Sequence, residues 1–254
     1  MFLAFIVQVI VCVLVLRWLL KKKTGVPYSK KMVARFIGLG MLSTVAFLAV
    51  SLLLDIKKDA FFEFNPILAG FLTALITAAL AEEVFKYIFF RLSLIKNKEV
   101  ISWLDVTIAA IVVGIGFTLA EDFEFAIVGA TNILRAFIPA HILFQAIMGY
   151  YYGKARVTGR CLYDVISLVF PILVHTFFDM FLIGLRAVVG DNPDALKDLS
   201  EEALLNMPGW EYVIPMLIGA ILAVVIVLVG MILMLRRIGV WSKKSEKQER
   251  ITGL

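Results

Sequence analysis

Seven runs of apolar residues alternate with short polar stretches along the chain. Each run is about as long as the roughly 20 residues that a helix needs to cross a bilayer core of about 30 Å. Because backbone polar groups in lipid must be hydrogen-bonded within the protein, all seven runs are predicted to be transmembrane helices. The predicted spans cover residues 2–20, 33–54, 66–90, 105–127, 133–152, 163–185 and 212–235.

Composition favours the same architecture, an all-α polytopic membrane bundle of about seven helices. Hydrophobic residues make up 61% of the 254 residues, and the mean hydropathy is +0.95, far above the values of soluble domains. These values exclude a water-soluble fold. We expect one transmembrane domain over residues 1–242, with its polar core helices between residues 66 and 186, and a basic tail over residues 243–254.

Charge and cysteine content exclude two further classes of protein. The formal net charge of +5 does not indicate nucleic-acid binding, because no basic patch is interleaved with aromatic residues on which bases could stack. Cys12 and Cys161 lie far apart, which predicts neither a disulfide framework nor a thiolate metal site. The sequence does not indicate an oligomeric state.

The basic residues are unevenly distributed over the loops. Most of the 25 Lys and Arg residues fall in the first, third and fifth loops and in the tail. Loops rich in Lys and Arg remain on the cytoplasmic side of the membrane. We therefore predict a plasma-membrane protein with its N-terminus outside and its C-terminus in the cytoplasm. The acidic sixth loop, residues 187–211, would lie outside; Asn192-Pro193 begins either a short interfacial helix or a solvated connector there. Arg135 is expected to snorkel at the outer end of the fifth span.

Four of the predicted spans contain ionisable side chains. A charged group at mid-bilayer costs roughly 2.5 to 3.5 kcal/mol, so each is a candidate for a functional role. Counting from the span ends places Glu82, Glu121, His141 and His175 within a few residues of their span centres, and the last two are the only histidines. The set is Glu82, Glu83 and Lys86 in the third span, Glu121, Asp122 and Glu124 in the fourth, His141 in the fifth, and His175 and Asp179 in the sixth. Asp122 and Glu124, toward the outer end, are expected at the interface.

Helical spacing indicates which of these groups can act together. Glu82 and Lys86 are four residues apart and share a face, so the ammonium can neutralise the carboxylate or fix helix register as an ion pair. Glu83 points about 100° away from Glu82. His175 and Asp179 are also four apart, so the carboxylate can orient the imidazole or bind a metal with it.

This inventory supports hydrolysis by either of two schemes. His141, His175 and Glu121 can hold a divalent metal such as zinc, while Glu82 or Glu83 takes a proton from water as the general base. The same groups can act without metal, because a desolvated carboxylate can activate water while a histidine stabilises the oxyanion. The sequence leaves both schemes open.

Four sequence blocks occur in order on successive predicted spans. Glu82-Glu83-Val84-Phe85-Lys86 matches an E-E-x-x-K signature, and the segment from Gly116 to Glu121 resembles G-F-x-x-x-E. His141 followed by Gly149 resembles a third block, and the segment from His175 to Asp179 resembles a final H-x-x-x-[ND] block. Together they resemble the PrsW-type intramembrane proteases, relatives of the CAAX prenyl protease and bacteriocin-processing superfamily.

The resemblance covers roughly residues 66–186 and implies an intramembrane endopeptidase. It implies that Glu82 and Glu83 activate water and that Glu121, His141 and His175 complete the site. It also implies site-1 cleavage of a single-pass anti-sigma factor on its extracytoplasmic side. The sequence departs from the family pattern at two positions: Asp122 lies where Asn is expected, and Asp179 lies where many relatives carry Asn. Both departures add negative charge to the site, which favours either a bound cation or an altered activity.

Two other functions use the same kinds of residue. A proton- or cation-coupled transporter or channel is the main alternative, because buried Glu, Asp and His chains also build proton relays. The internal repeats and interrupted helices of many transporters are not found in this sequence. A catalytically silent scaffold for other membrane helices fits poorly with the cost of so many buried ionisable groups. The expected partners are therefore a single-pass membrane substrate and lipid.

Overall fold

The computed structural model describes residues 2–23, 25–54, 59–128, 138–190, 200, 202 and 205–252. Its described residues form seven long helices, one 3₁₀ turn at Trp210–Tyr212 and no strand, which confirms the predicted helical membrane bundle. In chain order the helices are α1 Phe2–Leu20, α2 Lys30–Leu53, α3 Pro66–Leu94, α4 Trp103–Ile127, α5 Ala140–Thr158, α6 Cys161–Val189 and α7 Val213–Thr252.

Six of these helices are long and apolar enough to cross a membrane, and α5 is the exception. Helix α5 carries His141 and Gln145 near its start and Lys154 and Arg156 near its end, which lowers its hydropathy. Its first ten residues are all buried, because α4 and α6 pack against it. A polar helix is therefore accommodated inside the bundle, where protein shields it from lipid.

The centre of the bundle is α4, which is buried along almost its whole length. Small residues allow neighbouring helices to approach it closely, as is usual in membrane bundles. A Cβ on Gly40 of α2 would lie 2.0 Å from the Val113 carbonyl oxygen, and one on Gly116 would lie 2.2 Å from that of Ile37. Helix α3 meets α6 in the same way, because a Cβ on Gly70 would lie 2.1 Å from the Met180 carbonyl oxygen.

Helix α3 changes its winding halfway along. Residues Pro66–Thr73 are α-helical, Ala74–Ala79 form a π-helix, and Leu80–Leu94 are α-helical again. A π turn holds one more residue than an α turn and so rotates the face on which later side chains lie, a feature common near functional sites. It ends three residues before Glu82, and it therefore sets the direction of the acidic pair on this helix.

Side-chain contacts connect the loops at one end of the bundle. Ser102 and Asp105 form a capping box at the start of α4, and the Asp105 carboxylate lies 3.6 Å from the Lys23 ammonium with both side chains buried. The Ser29 backbone N–H and hydroxyl each donate to Glu99 at 2.7 Å, at the start of α2. These contacts fix the loops that precede α2 and α4.

The predictions about the chain ends and loops differ in their outcome. Helix α7 has 40 residues, about 60 Å, so it runs past the predicted span end at residue 235 and into the predicted tail. The predicted short helix that begins at Asn192-Pro193, and the snorkelling Arg135, lie outside the described residues. The orientation in the membrane stays a prediction.

Candidate active site

Seven of the nine ionisable candidates of the sequence analysis meet in one connected network between α3, α4, α5 and α6. All but Asp179 are at most 8% exposed. The members are Glu82, Glu83 and Lys86 on α3, Glu121 on α4, His141 on α5, and His175 and Asp179 on α6. The helical spacings alone predicted two of these contacts, Glu82 with Lys86 and His175 with Asp179.

Lys86 lies at the middle of the network. Its Nζ is 2.6 Å from Glu83 Oε1, 3.4 Å from Glu82 Oε2 and 2.9 Å from His141 Nδ1. The ammonium also lies 3.9 Å from the centre of the Phe117 ring, a cation–π contact. A buried charge is tolerated only when it is paired and hydrogen-bonded, and these four contacts meet that requirement.

His141 is held through both of its ring nitrogens. Its Nε2 lies 2.8 Å from Glu121 Oε2, and its Nδ1 faces Lys86. An ammonium has no acceptor, so Nδ1 accepts from Lys86 and Nε2–H donates to Glu121. The prediction that His141 lies near the middle of its span is wrong, because it is the second residue of α5. Helix α5 begins inside the bundle, where protein groups surround its first turn.

His175 lies at the middle of α6 and among three carboxylates. Its Nδ1 is 2.9 Å from Glu83 Oε1, and its Nε2 is 3.1 Å from Asp179 Oδ2 and 4.0 Å from Glu82 Oε2. The ring stacks on Phe144 at 4.7 Å between centroids, and the His141 ring is 5.3 Å away. Packing and hydrogen bonds together leave this imidazole a single orientation.

Gln145 belongs to the network and was missed by the sequence analysis. Its Nε2 donates to Glu83 Oε2 at 3.2 Å, while Lys86 and His175 bind the other oxygen, Oε1. Gln145 is four residues after His141, so the helical spacing that linked other residues could have found it. With both oxygens engaged, Glu83 is better suited to orienting His175 than to accepting a proton from water.

Three donor groups can hold a metal ion together. One ligand atom each from Glu82, His141 and His175 lies within 4.8 Å of the others, and all three residues are buried. One nitrogen of each imidazole binds a carboxylate, Nε2 of His141 with Glu121 and Nδ1 of His175 with Glu83, and Nε2 of His175 also contacts Asp179. That arrangement is typical of metal-binding histidines. The donor set therefore fits a divalent ion, with Glu82 in the place that the sequence analysis gave to Glu121.

Asp179 is the most accessible member of the network. Its side chain is 27% exposed, against 11% for that of Glu121 and 7% for that of Glu82. The next residue, Met180, lines an open groove of about 590 Å³. The other residues that line the groove are Asn65, Ile67, Leu68, Phe71 and Tyr212. Asp122, next to Glu121 on α4, is buried within the protein, and its depth in the membrane stays a prediction.

Comparison with known proteins gives a consistent result. Residues 28–191 match the model of a family described as "PrsW family intramembrane metalloprotease". "Protease PrsW" of Clostridioides difficile is 32% identical over 119 residues, 42% of this chain and 50% of the relative. The protein of that name from Oceanobacillus iheyensis is 32% identical over 120 residues, 45% of this chain and 56% of the relative.

Protease PrsW of Bacillus subtilis is 28% identical over 123 residues, 46% of this chain and 56% of the relative. The chain thus spans about half the length of the curated relatives it matches. No solved structure matches the chain.

Proposed function

The chain belongs to the PrsW family, and we propose that it is an intramembrane endopeptidase that hydrolyses peptide bonds of other membrane proteins. The observation that carries the proposal is the buried group of Glu82, His141 and His175, whose imidazoles are each backed by a carboxylate. This group and its backing carboxylates lie on four packed helices of an integral membrane protein and could together activate water. The six apolar helices keep this chemistry within reach of membrane-embedded substrates.

Glu82, His141 and His175 are the residues that we propose as metal ligands. Two imidazoles and one carboxylate are a donor set of catalytic zinc sites, so zinc is the ion we expect. A divalent ion bound there would polarise the scissile carbonyl and make water a nucleophile at neutral pH. Glu121 and Glu83 hold the two histidine rings in place, and Gln145 holds Glu83.

Asp179 is the residue that we propose as the general base. Its Oδ2 lies 3.1 Å from His175 Nε2, and its side chain is the most exposed of the network. It therefore borders one of the proposed ligands and has the largest exposed fraction in the network. In a metal-free scheme Glu82 would take the proton instead, since its carboxylate lies on the same side of His175.

The substrate class that we propose is a single-pass membrane protein, with an anti-sigma factor as the specific candidate and cleavage on its extracytoplasmic side. A single helix can approach the bundle from the lipid, and the groove that includes Met180 is lined mainly by apolar side chains. The predicted orientation, with the N-terminus outside the plasma membrane, belongs to the same proposal.

The test uses purified protein reconstituted in liposomes with a library of tagged single-pass proteins. We expect cleavage by the wild type and none by His141→Ala, His175→Ala or Glu82→Gln. Glu124→Gln is the matched control, because it makes the same change as Glu82→Gln on a half-buried glutamate outside the network. Full cleavage by the double histidine variant would refute the site assignment.

A second measurement separates hydrolysis from transport. Ion flux in the same liposomes that disappears in Glu82→Gln, with no cleavage of any substrate, would replace the peptidase proposal with a transporter. The ion pairs among Lys86, Glu82 and Glu83 weigh against a continuous relay, because they engage the carboxylates with a fixed partner.

A further inference from the structure

The ammonium of Lys86 lies among the atoms that would bind a metal ion. It contacts Nδ1 of His141 at 2.9 Å and Oε2 of Glu82 at 3.4 Å, which belong to two of the three proposed ligands. The Lys86 side chain has no exposed surface. A positive charge of the protein itself thus lies within the donor set.

The contact with His141 excludes a metal at the same nitrogen. Nε2 of His141 is engaged by Glu121, which leaves Nδ1 as the nitrogen that faces the group. A neutral imidazole has one lone pair for a donor or a metal, and that lone pair is on Nδ1 when Nε2 carries the proton. The ammonium and a divalent ion cannot use it together.

Lys86 keeps other partners when this contact breaks. Glu83 Oε1 lies 2.6 Å from Nζ, and the face of the Phe117 ring is 3.9 Å away. Both are on residues that we do not assign as ligands. A small withdrawal of the ammonium toward Glu83 and Phe117 therefore frees Nδ1 without leaving an unpaired buried charge, which would be strongly destabilising.

We propose that Lys86 is a resident cation that competes with the divalent metal for the site and so sets its metal affinity. The inference rests on the proposed metal-binding function of Glu82, His141 and His175. When no divalent ion occupies the group, the Lys86 ammonium would offset the charge of Glu82 and Glu83. When the ion binds, Lys86 gives up His141 and remains on Glu83.

The experiment measures binding of Co²⁺ to purified full-length protein in detergent, through the visible absorption of the bound ion, with Zn²⁺ as competitor. Lys86→Met removes the charge and keeps an unbranched side chain. We expect it to bind Co²⁺ about tenfold more tightly than the wild type, or better, because one charge-assisted hydrogen bond no longer opposes binding. Lys86→Gln, which can still donate a hydrogen bond, should fall between the two.

Lys154→Met is the matched control. Lys154 is on α5 and packs over the rings of Tyr150 and Tyr163, outside the network. Its loss should leave the Co²⁺ affinity at the wild-type value. If Lys86→Met does not fold, Lys86→Gln decides the question by itself, with thermal unfolding in detergent as the check on its fold.

The outcomes separate this inference from the proposed function. Equal or weaker Co²⁺ binding by the folded Lys86 variants, with a metal bound by the wild type, would overturn the competition and leave the metal site intact. Absence of binding by the wild type and every variant would remove the metal from the proposed function, and the inference with it.

Discussion

Gly114→Ala should disturb the site through Gln145 and the backbone of His141, which lie nearest to the added methyl group. A Cβ at Gly114 of α4 would lie 2.5 Å from Cγ and 2.9 Å from Cβ of Gln145, and 3.2 Å from the His141 carbonyl oxygen. Two of these three contacts are with the side chain that holds Glu83 Oε2. The added methyl group therefore either rotates Gln145 off Glu83 or separates α4 from α5.

Either response has a cost that can be estimated. Overpacking of a close-packed interior destabilises by about 1 to 3 kcal/mol. Rotation of Gln145 instead gives up a hydrogen bond to a charged group, about 1.5 to 3 kcal/mol. Because Glu83 in turn orients His175, we expect turnover to fall about 10- to 100-fold, the usual loss when such an orienting group is disturbed.

The assay combines thermal unfolding in detergent with the rate of substrate cleavage. Gly38→Ala is the matched control, because a Cβ there would meet no atom within 4 Å, so stability and turnover should stay at the wild-type level or rise slightly. Gln145→Ala should lose turnover to a similar degree, and the double variant should lose little more than either single one. Additive losses, or wild-type turnover in Gly114→Ala, would show that Gly114 does not act through Gln145.

Three further predictions concern packing, pH and metal. Gly70→Ala should lower the free energy of unfolding by about 3 kcal/mol or more, because its Cβ would overlap backbone atoms of Met180 and Gly184. An unchanged thermal unfolding midpoint would refute this prediction. Hydrogen bonds from the Ser29 backbone and side chain lower the pKa of Glu99, so the ionised carboxylate stabilises the fold above pH about 4.5, and this stabilisation is lost as the pH falls through the lowered pKa. Glu99→Gln should therefore reduce the loss of unfolding free energy at acid pH. An unchanged loss at acid pH would contradict this prediction. Chelation should abolish cleavage and zinc should restore it, whereas full activity of a metal-free sample would favour the metal-free scheme.

The helices were largely predictable because each is encoded locally. Runs of apolar residues fix where a chain must be helical in lipid, whichever helices become its neighbours. The span predicted at residues 133–152 was shifted along the chain, since α5 covers Ala140–Thr158 and is not among the apolar helices. Its polar residues are buried between α4 and α6, and this packing cannot be inferred from the local sequence pattern.

The ionisable candidates for the site, but not Gln145, were also available from the sequence, because a buried ionisable group in a membrane span is rare and costly. Their mutual contacts were predictable only within one helix, as for Glu82 with Lys86 and His175 with Asp179. The contact of Glu121 with His141, and of Glu83 with His175, joins residues on different helices. Helical spacing carries no information about such pairs.

What the sequence alone determined is therefore the set of helices and the ionisable residues on them. The tertiary structure decided which atoms face each other: it grouped Glu82, rather than Glu121, with the two histidines, brought Gln145 to Glu83, and set Lys86 among the donors. The physical reason is that rotation and separation of helices depend on close contacts at residues such as Gly114 and on the π turn of α3. These are properties of packed pairs, and a single segment does not contain them.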